Sequence, residues 1–416
     1  MTSVNELRAR IEEATSSIQL HQDAIRALVR SKSDLQGQLN AIVDPLALLP
    51  FELSSQIFFH CLSHMSPMVL LGICRSWRSI ALGIPALWTT LSITSPRTET
   101  ASTLCDEFLK RAGPLPLTLC INGSIYKAAE DLLERYAERL EDLDLSLSSG
   151  EELSSITTVF TALKSLSISQ GYHQRYLTYT EDYYSDDASE CVKMLCLAPN
   201  LLRCTFGLIF YARRRQITED QPTWTHGSLK HLHLGYLDLS NECDNSAQIL
   251  NYLTSPALES LSISYFDIRT SDFIDFLIRS SPPLNCLALA IRKVIIGAGW
   301  TENAVDQVFQ LLPKLTHLDL KFEGGSLAEF FDLFIIQALR ALPSLCDLTI
   351  RPGSCALTRP HWERLIQVLR TSPRMRSVRL LDPTCINLDP DTMVALRELR
   401  NAGMDIRVDL EESNNV

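Results

Sequence analysis

His231, His233, His317 and Asp319 are the side chains in this 416-residue chain whose types best suit metal-centred chemistry. His231 and His233 lie two residues apart and so share one face of a strand, and His317-x-Asp319 repeats that spacing further along. Imidazole and carboxylate groups at such spacings are the usual ligands of a divalent ion. Two or three strand steps separate the pairs, and at about 5 Å per step they are too far apart to share one. These side chains are therefore expected on a surface. No other constellation replaces them: there is no GxSxG, P-loop, GxGxxG after a strand or HExxH, and no Cys/His spacing suited to zinc. The twelve cysteines are scattered without a CxxC pair, and Cys74, Cys120, Cys204 and Cys346 occupy apolar slots. They read as reduced core residues of a cytoplasmic or nuclear protein. The expectation is a protein that is not an enzyme and holds no metal or cofactor.

The elements that position those histidines are more informative. Each pair sits inside a recurring unit, L-x-x-L-x-L. Instances begin at Leu140, Leu163, Leu201, Leu229, Leu258, Leu284, Leu315, Leu345 and Met375, spaced 26 to 31 residues apart from Leu201 onward. A period of this length is the mark of leucine-rich repeats. The last two apolar residues of each unit are two apart, so they share a face of a short strand. A single such strand cannot bury itself, whereas a stack of parallel strands backed by helices forms a continuous core. The intervening segments supply the helices: Asp272 to Ile278, Glu302 to Leu312, Leu327 to Leu342 and Pro360 to Leu369. Ser255-Pro256, Ser281-Pro282-Pro283, Leu312-Pro313, Leu342-Pro343 and Ser372-Pro373 stop those helices and re-enter strands. Strands are also expected at Leu87 to Ile93, Pro114 to Leu119 and Ile406 to Leu410, with helices over Thr100 to Ala112 and from Pro390 to about Arg400, closed by Gly403.

Such an array exposes the x residues between its buried leucines, on what would be the concave side. The candidate surface for a protein substrate is His231, His233, His317, Asp319, Lys321, Asp347, Arg351 and Arg379. Small neutral residues in the middle and mixed charge towards the end suit a protein segment better than a small molecule. Two insertions break the period: Gln170 to Ala188, with five tyrosines among acids, and Tyr211 to Ser228, with three arginines and Trp224. Each is either a partner-binding loop or a simple excursion.

Ahead of the repeats lie two other patterns. Val4, Leu7, Ile11, Ala14, Ile18, Ile25, Leu28, Leu35 and Ile42 follow steps of three and four, with His21 and Lys32 as polar members of the same register. This predicts one long helix with a narrow apolar seam. The seam serves either self-association through residues 4–42 or a helix folded back along the rest of the chain. Gly37 weakens that helix and is expected to bend or end it before Asp44-Pro45.

Then come LPFELSSQIFFHCL and ICRSWRSIA, within a stretch from Leu49 to Trp88. Leu53, Ile57, Phe58 and Cys61 or Leu62 form one apolar stripe; Val69, Leu70, Ile73, Trp77 and Ile80 form a second after Pro67. About forty residues are too few to stand alone, so this hairpin must dock on something. It resembles an F-box, whose usual pattern is LPxE(L/I)…IF…L…VCrxWrxiA, in an arrangement like that of fungal F-box proteins with irregular leucine-rich repeats and an N-terminal coiled coil. Ile73 stands for the usual Val, and Ser63-His64-Met65-Ser66 makes a tight connection. The resemblance implies that Leu49, Pro50, Leu53, Ile57, Leu62, Ile73 and Trp77 meet a Skp-type adaptor of a cullin ubiquitin ligase. It also implies that the repeats receive a protein substrate. The alternative is a scaffold that uses the coiled coil and repeats without degradation.

A net charge of −11 disfavours nucleic acid and anionic membrane as partners. No run of 18 apolar residues suggests a membrane span, and MTSVNELRARIEE has no secretory h-region. The expected organisation is a heptad helix over 1–43, an all-α F-box over 44–95, and an α/β solenoid of irregular leucine-rich repeats over 96–416.

Overall fold

A leucine at every second position of a short strand buries one face only if a neighbouring strand continues that face, and the structure resolves the pattern in this way. The computed structural model describes residues 3–44, 46, 49–61, 66–94, 98–147, 153, 155–170, 188–207, 223–235, 248–266, 269–292, 300–323, 331–352, 359–372, 374–381 and 390–409. They form two compact units, Met1–Thr90 with Glu107–Leu115, and Leu91–Asp106 with Pro116–Val416.

The second unit is built on a 12-stranded sheet. Its first strands are β1 (Thr90–Thr94), β2 (Leu117–Asn122), β3 (Leu140–Leu147), β4 (Ser165–Gln170) and β5 (Arg203–Phe206). A two-residue strand β6 (Trp224–Thr225) precedes β7 (His231–Leu234), and a second, β8 (Leu253–Thr254), precedes β9 (Ser260–Phe266). Then follow β10 (Cys286–Arg292), β11 (His317–Glu323), β12 (Asp347–Arg351), β13 (Ser377–Leu381) and β14 (Asp405–Asp409). Apart from β6 and β8, which pair with each other, spatial order is sequence order. The described ladders are parallel, as in β10 on β11 and β12 on β13. All nine L-x-x-L-x-L units become strands of this sheet. Leu232, Leu261, Leu287, Leu318 and Leu348 fall in one register row and are buried. This is a leucine-rich-repeat array with parallel strands and intervening helices.

The helices follow from the punctuation. Thr270–Ser280 ends on Ser281, whose φ of 41° is a left-handed stop ahead of Pro282-Pro283. Glu302–Gln310 begins on a Thr301 cap that accepts from the Ala304 N–H. The helix expected from Leu327 to Leu342 contains a π segment, Asp332–Ile336, before Gln337–Ala341. Pro390–Asn401 is closed by Gly403 at φ 103°. Lys127–Tyr136 and Ala188–Leu197 add helices that no proline announced.

Gly207 and Gly235 follow β5 and β7, each one step beyond the Phe206–Leu234 rung. A Cβ on Gly235 would lie 2.8 Å from both the Phe206 carbonyl oxygen and the Gly207 Cα. Only glycine allows the two repeats to approach this closely.

In the first unit, α1 runs from Val4 to Val43 without a break, so Gly37 does not end it. It is followed by α2 (Phe51–Cys61), a 3₁₀ turn at Pro67–Val69, α3 (Leu70–Ile73), α4 (Arg75–Leu82) and a 3₁₀ turn at Pro85–Trp88. The turn takes the place of the first part of the strand expected from Leu87. Trp88 is fully buried, donates from Nε1 to the Ala81 carbonyl (3.0 Å), meets Phe108 edge-on and carries the Arg111 guanidinium over its ring. No helix among the described residues is long and apolar enough to cross a membrane.

Candidate functional site

The Cys74-Arg75-x-Trp77-Arg78 run has a local physical reason at each named residue. Cys74 is the extended N-cap of α4, and its Sγ accepts from the Trp77 N–H (3.4 Å). Arg78 turns back and donates from Nε and Nη2 to the Leu71 carbonyl at 2.9 and 2.7 Å, closing the end of α3. Arg75 reaches Ser33 Oγ on α1 (3.2 Å). Trp77 lies half-buried against Phe58, with ring centroids 5.3 Å apart, and donates from Nε1 to Asp44 Oδ1 (3.1 Å).

Asp44 is therefore the polar centre of the hairpin, and sequence reasoning assigned it only to the end of a helix. It is buried and also accepts from the Leu46 N–H (3.0 Å) and from Cys74 Sγ (3.8 Å). Burial pushes its pKa up, but hydrogen bonds from Trp77, Leu46, Ser76 and Cys74 outweigh burial and hold it below the ordinary value of 3.8. A carboxylate favoured by the fold stabilises it above the unfolded pKa, and that contribution fades as pH falls through the folded one. Asp44→Asn should therefore cost about 1–3 kcal/mol at pH 7, measured by urea unfolding. The gap to wild type should narrow as the pH drops below 3.8. A gap of constant size down to pH 3 would contradict this role.

With Ser54, Phe58, Pro67, Leu70 and Ala81 turned inward, the hairpin leaves a second apolar surface outside. The expected stripe on α2 is split: Ser54 and Phe58, one turn apart, face in, whereas Leu53 (46% exposed), Ile57 (37%) and Cys61 face out. Leu49, Ile73 (51%) and Pro50 are exposed too, and Phe51, Phe59, Met68 and Val69 join them. The Pro50 carbonyl starts α2 by accepting from the Leu53 and Ser54 N–H groups. Leu62 lies outside the described residues. Of the residues assigned to an adaptor, the structure thus exposes Leu49, Pro50, Leu53, Ile57 and Ile73, while Trp77 is half-buried with its N–H already bonded. Phe51 and Phe59 are exposed although neither lies on the expected stripe of α2.

The polar face of the sheet divides in two. His231 is exposed; His233 is half-buried, with Nδ1 2.8 Å from Ser262 Oγ, and burial lowers its pKa. β9 and β10 separate this pair from β11, a gap of roughly 14 Å across three strand steps. Beyond the gap, His317 Nε2 meets Asp347 Oδ2 (3.0 Å) and Arg351 Nη2 meets Asp319 Oδ2 (3.2 Å). Burial raises the Asp319 pKa against the opposing pull of Arg351 and Lys321. Register aligns Lys321 with Arg351, and Asp319 with Thr349 and Arg379, so these residues form two rows. Lys321 and Arg379 are exposed. Among the described residues no three His, Cys, Asp or Glu side chains are placed to hold a metal. Trp224 is exposed on β6; the rest of both insertions lies largely outside the described residues.

No family model matches the chain, and no curated protein sequence matches it. Among solved structures it is similar to the leucine-rich repeat-containing protein LegL7 from Legionella pneumophila, at 17% identity over 78% of this chain and 91% of that one, with a TM-score of 0.41. It is also similar to the Rad7 and Elc1 complex of yeast, at 14% identity over 100% of this chain and 96% of that chain, with a TM-score of 0.39. Likenesses this distant say nothing of activity or partners.

Proposed function

We propose that this chain is the substrate-receptor subunit of a Skp–cullin–F-box ubiquitin ligase. The exposed side of the Leu49–Trp88 hairpin would take the Skp-type adaptor, and the polar face of the sheet a protein substrate. The observation that carries this reading is the outward pair Leu53 and Ile57, one helical turn apart on α2, with Ile73 exposed as well, on a hairpin whose buried Phe58 packs against a half-buried Trp77. Apolar side chains clustered on a surface mark an interaction site, and here they occupy the positions at which the F-box pattern places adaptor contacts. The mixed-charge rows on β11 to β13 support protein recognition by the sheet. The chain itself would do no bond chemistry. It would hold the substrate beside a ubiquitin-loaded enzyme, so that the rate gain comes from proximity.

The test is the lifetime of captured partners in cells that carry either the wild-type chain or a Leu53→Glu/Ile57→Glu variant. Partners of a receptor should persist several-fold longer with the variant. Unchanged lifetimes would instead identify a scaffold without a degradative role.

A further inference from the structure

The apolar seam of α1 is uncovered along its described length. Val4, Leu7, Ile11, Ile18, Ile25, Leu28, Leu35 and Leu39 are between 47% and 70% exposed, so the chain does not fold back on its own seam there. Written as heptads, the register sorts these residues by shape. Through the first four heptads the a positions carry Val4, Ile11, Ile18 and Ile25, and leucine holds d at 7, 28 and 35; Ala14 and Ile42 also fall at d and Leu39 at a. β-branched residues at a with leucine at d are the combination that favours two parallel strands. All five acids of the helix, Glu6, Glu12, Glu13, Asp23 and Asp34, fall at b, c or f, away from the seam. The flanking g and e positions would bring together Arg10 with Thr15, Ser17 with Gln22 and Ser31 with Gln36, so no like charges meet along these flanks. The length is sufficient as well. Forty residues span about 60 Å, and a strip about 10 Å wide on each of two helices covers on the order of 1,200 Å², the lower bound of a specific interface.

We infer that α1 pairs with the same helix of a second copy as a parallel, in-register two-stranded coiled coil. Lys32 at a and His21 at d would face their own counterparts. Single polar layers of this kind weaken such a coil but fix its register. The inference is independent of what the hairpin or the repeats bind.

The full chain should sediment at twice its 46.8 kDa mass at micromolar concentration. Ile18→Glu/Ile25→Glu should weaken dimerisation at least a hundredfold, leaving the melting of the rest of the chain unchanged because both side chains are exposed. Leu7→Cys should form a disulfide-linked dimer on mild oxidation that the wild type, with its own cysteines, does not. A chain that stays monomeric at 100-fold higher concentration overturns the proposal. So does a dimer that survives the glutamate pair, or one that Leu7→Cys fails to cross-link, since an antiparallel pair would place the two Leu7 positions far apart.

Discussion

Trp88→Ala is expected to destabilise the first unit by about 3–5 kcal/mol, the range for truncating a fully buried aromatic. Three separate losses add up at this position. The cavity is large because the indole is completely covered, and the edge contact to Phe108 goes with it. The Ala81 carbonyl at the end of α4 also loses its Nε1–H donor, and a buried acceptor left bare is costly in its own right. Trp88→Phe should recover part of the cavity contribution but not the hydrogen bond, and so fall between the two. Urea unfolding followed by far-ultraviolet circular dichroism measures both. A shift below 1 kcal/mol for Trp88→Ala would mean that the hairpin is anchored elsewhere.

The second large effect lies in binding. Leu53→Glu/Ile57→Glu should reduce capture of a Skp-type adaptor by a hundredfold or more. Central apolar anchors contribute about 2 kcal/mol or more each, and each 1.4 kcal/mol is a factor of ten. The same variant should melt within about 0.5 kcal/mol of wild type, as surface substitutions do, because neither side chain is part of the hairpin's interior. Phe58→Ala is the contrasting control: Phe58 is fully buried, so its loss should appear in stability first. Full adaptor capture by the glutamate variant in a pull-down of purified proteins would remove the basis for the receptor reading.

The repeats were legible because burial acts on each in the same way. A leucine pattern repeated nine times has only one economical arrangement, and each instance became a strand in the expected register. The helix breaks were legible where proline or glycine imposes them, as at Ser281 and Gly403. The hairpin was harder. α2 has apolar residues around most of its circumference, and hydrophobicity alone does not say whether Phe58 or Ile57 faces in. That choice is made by Trp77, which closes on Phe58. The partner of Trp77, Asp44, lies 33 residues away and outside any periodic pattern. β6 and β8 are two residues each, too short for any alternation to register. The π segment at Asp332–Ile336 left no trace either, since one extra residue in a turn hardly disturbs an amphipathic stripe.

This sheet runs from β1 to β14 without the last strand pairing with the first, so among the described residues β1 and β14 are its two borders. Unpaired backbone along such a border is a template for adding foreign strands, and natural proteins discourage this with charge. β14 carries Asp405 and Arg407, both exposed and bonded to each other at 3.1 Å. An incoming strand would have to desolvate that pair before gaining its first ladder bond. The ends of the array are thus where aggregation would begin, and at this end Asp405 and Arg407 oppose it.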